Sequence, residues 1–312
     1  MPVNKHGLRL DPDFTEDLVG FALESFLTLF TFPRRRFSIE PFSRVEERRL
    51  GADARLDSDI RGFRPFYMQF KRPFAFLDAS SSKVVKERKK LGARVEPHSL
   101  FFDLRRKQPH HNDFQHNILY DLRNELTKTG MGDAAYVCPL FLDRSAYRWH
   151  LQWSGLRSWL TFRHWRPWDL EEVLIRENGR SLRFDNVPIL AEHVTIPPHK
   201  KVQEANHRYS FDESGSDVCF HSPARLPELS VSLAKFLTKL SYGFLEGGEK
   251  LNFENASQFL KRLIVAVDGD RGNYQVSTRP ERDDPIGDWL AWGDYLQREY
   301  EIQQYALVQW EY

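Results

Sequence analysis

The sequence predicts a mixed α/β protein in which helices pack on a mixed β-sheet. Three observations predict it. From residue 12 to 142 the apolar periodicity runs helix, three strands, helix, strand. Hydrophobic residues make up 41% and aromatic residues 14%, which suits a packed core. A chain of 312 residues exceeds the usual single-domain size, so two units are expected: 1–145, and a C-terminal α/β extension over 146–312.

The first element opens at Asp11-Pro12, a cap followed by proline in the first turn, and places Leu18, Phe21, Ala22, Leu23, Phe26, Leu27 and Phe30 at helical spacing over 12–31. Pro33 stops it. "RRFSIEPFSR" alternates as a strand, with Pro41 marking an edge or a bulge. "LGADARLD" sets Leu50, Ala52, Ala54 and Leu56 on one face, and "PFYMQFK" sets Phe66, Met68 and Phe70 inward with Tyr67, Gln69 and Lys71 outward. The segment 72–112 reads as an insertion holding two short apolar runs, 74–77 and 99–104, which pair as a hairpin around a basic stretch. "NDFQHNILYDLRNELTKTG" is a helix closed by Gly130, and 134–142 is an apolar run suited to a buried central strand.

Composition excludes several classes. No apolar run approaches the roughly 20 residues of a membrane span, and "MPVNKHGLRLDPDF" lacks a secretory signal. Cys138 and Cys219 are too few for a disulfide framework or a thiolate zinc site, and His110, His111 and His116 lack clean ligand spacing. A soluble, cytoplasmic protein without membrane partners is expected. There is no phosphate-binding Gly-rich loop and no nucleophile elbow. The net charge is only +1, but residues 83–107 hold nine Lys/Arg against three acids. Lys83, Lys86, Lys89, Lys90, Arg105 and Arg106 are the candidate nucleic-acid contacts of that patch.

If 50–57 and 66–71 pair antiparallel about a turn near Arg61 or Gly62, Asp53 falls opposite Gln69 or Lys71, about 4.5 to 5.5 Å away. Asp57 falls nearer the turn. A carboxylate, an amide oxygen and the Phe70 backbone carbonyl are hard ligands that suit Mg²⁺ or Mn²⁺, and Lys71 is placed to stabilise negative charge or orient a water. The second helix carries Gln115, His116 and Tyr120 as supporting groups toward the metal or a phosphate.

This pattern resembles the PD-(D/E)xK nuclease superfamily, and most of all its Mrr-type restriction endonuclease branch. Gly20 and Glu24 match that branch's first-helix Gly and Glu; Asp53 matches its second-strand aspartate; Gln69 and Lys71 match its Gln-x-Lys motif. The resemblance covers roughly 12–142. It implies a restriction-endonuclease-like αβββαβ core and metal-dependent cleavage of DNA, with Glu24, Asp53 and Gln69 around the metal and Lys71 catalytic. Defence of a prokaryote against foreign DNA is the setting it implies by analogy. Two other readings stay open: the same fold as a DNA-binding or assembly module, and cleavage of RNA. On the first helix, Glu16 replaces Glu24 if the helix turns otherwise.

The second half matches no pattern of this kind. Its stretch "RWHLQWSGLRSWLTFRHWRPWDL" interleaves Arg148, Arg157, Arg163 and Arg166 with five tryptophans, a composition shared by apolar cores and single-strand-binding surfaces. This half is expected to shape substrate access, to form homo-oligomers or to bind a partner protein.

Overall fold

The computed structural model describes residues 9–31, 37–41, 60–76, 82–95, 98–164, 187–221, 224–226, 229–245, 249–269 and 285–310. In chain order its elements are β1 (Arg9–Leu10), α1 (Glu16–Thr31), β2 (Phe37–Pro41), β3 (Ile60–Phe70), β4 (Ala75–Phe76), α2 (Lys83–Lys90), β5 (Ser99–Asp103), α3 (Gln115–Thr129) and β6 (Asp133–Pro139). There follow α4 (Arg144–His164), α5 (Pro188–Ala191), β7 (His193–Ile196), β8 (Arg208–Asp212), β9 (Cys219–Phe220), β10 (Ala224–Arg225) and β11 (Val231–Ser232). The last are α6 (Leu233–Leu245), α7 (Phe253–Asp268), α8 (Pro285–Tyr300) and β12 (Gln303–Trp310).

The protein is mixed α/β, and its largest sheet is mixed, with strand order β11-β7-β6-β3-β12-β2. β12 runs antiparallel to both β2 and β3. β3 and β6 run the same way: Gly132 lies against the Pro65 carbonyl, and further along the Lys71 N–H donates to the Val137 carbonyl at 2.8 Å. The chain forms two compact units, one from residues 1–23, 70–117 and 136–239, the other from 24–69, 118–135 and 240–312. Both draw on the N-terminal and C-terminal halves of the sequence.

In the second unit the turn expected near Arg61 or Gly62 is instead strand. β3 continues unbroken from Ile60, and β12 pairs along it from Met68, opposite Gln303, to Ile60, opposite Trp310. The C-terminal strand therefore takes the edge that the expected hairpin gave to residues 50–57, which lie outside the described residues. Gly62 is needed here for close approach: the Phe63 N–H donates to the Leu251 carbonyl at 2.8 Å, and a Cβ on Gly62 would stand 3.0 Å from that oxygen. Both faces of β3 are covered as well as both edges. Phe63 meets Trp289 of α8 edge-on at 5.4 Å, while the buried Arg64 donates to the Leu240 and Glu249 carbonyls. Trp289 is anchored through its indole N–H to the Ala256 carbonyl of α7, and Gln304 donates to the Trp289 carbonyl. Tyr67, Gln69 and Lys71, expected on an outward face, are thus buried at 0%, 1% and 5% exposure.

In the first unit, α1 starts later than expected because Thr15, rather than Asp11, is the cap: its hydroxyl accepts from the Leu18 N–H at 3.2 Å. The two apolar runs of the insertion do meet, through reciprocal Phe74 and Phe101 backbone hydrogen bonds. Between them the basic stretch forms α2, capped by Ser82, with Lys83, Lys86, Lys89 and Lys90 exposed. Arg88 alone turns inward. It donates to the Arg94 and Asp217 carbonyls and to Ser210 Oγ, and so ties α2 to β8.

β5, β8, β9 and β10 form an antiparallel sheet. One of its faces holds an aromatic cluster in which Tyr209 packs on Phe220 at 4.9 Å and on Tyr136 at 5.7 Å, with His116 stacked on Tyr136. His116 is neutral there: Nε2–H donates to the Lys200 carbonyl at 2.8 Å, and the Tyr136 hydroxyl donates to Nδ1 at 2.7 Å.

Burial lowers the His116 pKa from 6.5 to about 4. Between those values the unfolded chain binds a proton that the folded chain refuses, so stability is complete above pH 6.5 and falls as pH drops toward 4. In urea unfolding across this window, His116→Gln should remove about 1.4 kcal/mol per pH unit from the slope, one proton's worth. An unchanged slope would contradict a buried neutral imidazole.

Candidate functional site

The Gln-Phe-Lys triplet ends β3 at the centre of the large sheet. As the strand leaves the ladder with β12 at Met68, Gln69 remains enclosed, and among the described residues neither its amide oxygen nor its amide nitrogen has a hydrogen-bond partner. Leaving a buried amide unsatisfied costs roughly 1–3 kcal/mol per group. Protein interiors rarely tolerate that without a compensating use.

Two residues on, Lys71 is equally enclosed. Its ammonium donates to Gln115 Oε1 at 3.4 Å, a long contact between two buried side chains. Gln115 opens α3, and its neighbour His116 fixes that first turn through Tyr136 and Lys200. Asn117 adds a second clamp: its amide donates to Asp113 Oδ1 and to the Val202 carbonyl, and its oxygen accepts from the Val202 N–H. Gln115 is thereby positioned by a rigid helix start. His116 commits both ring nitrogens to this task, which leaves none for a metal ion or a phosphate. Tyr120 is half-buried on the same helix.

An acid also reaches the lysine's end of the strand, and it is Glu16. Its Oε1 accepts from the Arg72 N–H at 3.4 Å. The charges of Glu16 and Lys71 both act on the Cys138 thiol, whose pKa is raised by its complete burial, then by Glu16, against a lowering by Lys71. Cys138 therefore remains a neutral thiol and no nucleophile. Glu24 is half-buried about 12 Å further along α1, at eight residues' rise. Asp53 lies outside the described residues, as do Asp57, Glu46 and Glu47.

Gln69, Phe70 and Lys71 are thus interior; Lys71 donates to Gln115, and Glu16 accepts from the neighbouring Arg72 N–H. The use of Gln115 to hold the lysine, and the clamps behind it, had only a weak signal: the Asn/Asp cap ahead of α3 and the polar run Gln115-His116-Asn117 at its start.

Gln69→Met separates the two meanings of the unsatisfied amide. It replaces the polar group with an apolar one of similar volume, so stability should rise by about 1–2 kcal/mol in urea unfolding. A loss of more than about 1 kcal/mol would mean that the amide is structurally bonded after all.

No protein-family model, curated protein or solved structure matches this chain.

Proposed function

We propose that this protein is a metal-dependent nuclease with a restriction-endonuclease-like core, hydrolysing DNA phosphodiester bonds at the end of β3. The observation that carries the reading is Gln69: an amide buried without a partner, two residues ahead of a buried lysine. Other buried groups are open too, among them the Tyr67 hydroxyl and Gln304 Oε1, but Gln69 is the one with both polar atoms open beside a buried lysine at the strand's end, where a bound group would satisfy them. The Gln69 oxygen and the Phe70 carbonyl are hard ligands, and Asp53 with Glu16 or Glu24 of α1 are the carboxylates that would complete a cation's shell. When bound there, Mg²⁺ or Mn²⁺ supplies Lewis acidity to the phosphoryl oxygens and acidifies a water.

The protein's own groups do the rest. Lys71 offers its ammonium to the charge that develops on phosphorus-bound oxygen and on the departing 3′ oxygen, in a setting where burial strengthens that interaction. Gln115 holds the Lys71 side chain in one direction, and α3 holds Gln115. Glu16, at the Arg72 N–H, fixes where the chain leaves the strand. The exposed lysines of α2 give a sequence-independent attraction for the phosphate backbone.

The test is cleavage of supercoiled plasmid in Mg²⁺ and in Mn²⁺. Wild-type protein should nick or linearise DNA, and Lys71→Ala and Asp53→Ala should each lower the rate by about 100-fold or more while circular dichroism stays unchanged. Cleavage confined to RNA would move the activity to a ribonuclease. Wild-type protein inert on both polymers would leave the core as a binding or assembly module.

A further inference from the structure

Over its described side chains, residues 144–154, helix α4 buries small or polar-tipped groups and exposes its indoles. Its described inner face is formed by Tyr147, which is buried and donates its hydroxyl to the Val19 carbonyl, and by Ser154, which is buried and accepts from the Ile189 N–H. Its described outer face carries two tryptophans. Trp149 and Trp153 are 61% and 43% exposed, one helical turn apart, with ring planes 6° from parallel and centroids 5.8 Å apart. Exposing two indoles forgoes burial worth a few kcal/mol that the core of the unit offers to residues such as Phe14 and Tyr147.

The row beside them is cationic. Arg144, Arg148 and Gln152 follow each other at i, i+4 and i+8, all exposed, along the ridge adjoining the tryptophans. The whole helix, residues 144–164, holds four arginines and no acid. A protein partner recognised by exposed indoles needs no such surplus of one sign. A polymer that pairs flat aromatic faces with a regular row of negative charge needs both ridges together.

We propose that the outer face of α4 is a binding platform for single-stranded nucleic acid, with unpaired bases stacking on the Trp149–Trp153 pair while Arg144 and Arg148 contact the adjoining phosphates. The platform deepens the nuclease reading and rests on it only for the choice of polymer. It gives the enzyme a hold on an unpaired strand, as at a nick, a bubble or an end, distinct from the duplex contacts of the α2 lysines.

The experiment measures binding of a fluorescein-labelled oligo-dT of about 16 nucleotides to full-length protein in EDTA, where no cleavage occurs. Trp149→Ala/Trp153→Ala should weaken binding about tenfold or more, and Trp149→Phe/Trp153→Phe should restore most of it. Arg144→Gln/Arg148→Gln should flatten the salt dependence by about 1.4 in log–log slope, two phosphate contacts' worth. Duplex of the same length should bind the tryptophan variants as it binds wild type. Equal oligo-dT affinity in the tryptophan variants and wild type overturns the proposal, as does an equal loss on duplex. Sedimentation showing that the tryptophans hold two copies of the chain together, with oligo-dT binding unchanged, overturns it in favour of self-association. Since the assay contains no metal, a protein that binds oligo-dT as expected but never cleaves DNA refutes the nuclease reading alone.

Discussion

The enclosure of β3 is the constraint on which the rest depends. A strand with a neighbour on each edge and packing on each face has no route by which its polar side chains can reach water. Every one of them must find a partner inside. Arg64 does so through two backbone carbonyls, and Lys71 through Gln115. Gln69 does not. In a sheet where β12 seals one edge up to Met68, Gln69 stands at the point where the pairing stops. Strand ends at the centre of a sheet are where a fold can place chemistry without surrendering its core, because the ladder fixes the backbone while the side chains beyond it are released from pairing.

Burial also decides how the neighbouring groups behave. Cys138 and His116 both lie within reach of the site by sequence, and each is neutralised by desolvation, the thiol upward and the imidazole downward. Among the described residues of the first unit, Lys71 keeps Gln115 as its partner and Glu16 accepts from the next peptide N–H.

Much of this was legible in the sequence, and the misses have physical causes. Alternation in "RRFSIEP" and the apolar run after Gly130 gave their strands, because local periodicity survives any tertiary context. Gly62 misled because a glycine between alternating runs reads as a turn, whereas here it admits the Leu251 carbonyl. No local signal could show that β12, some 240 residues downstream, would take the edge of β3. The outward reading of Tyr67, Gln69 and Lys71 failed for the same reason, since a strand's second face is covered only by elements far away in the chain. On α1, spacing alone left Glu16 and Glu24 as alternatives; the described contacts put Glu16 beside Arg72, while Asp53, the acid on which the sequence reading leaned most, lies outside the described residues.

The proposed nuclease role requires that the Gln69 amide, unpartnered among the described residues, bind a cation with a carboxylate that completes the shell. Calorimetric titration with Mn²⁺ tests it most directly. Wild-type protein should bind Mn²⁺ at one or two sites, and both Gln69→Met and Asp53→Asn should weaken the tightest of them at least about tenfold without loss of fold. A protein that binds no Mn²⁺, or whose affinity is untouched by either substitution, would contradict the account.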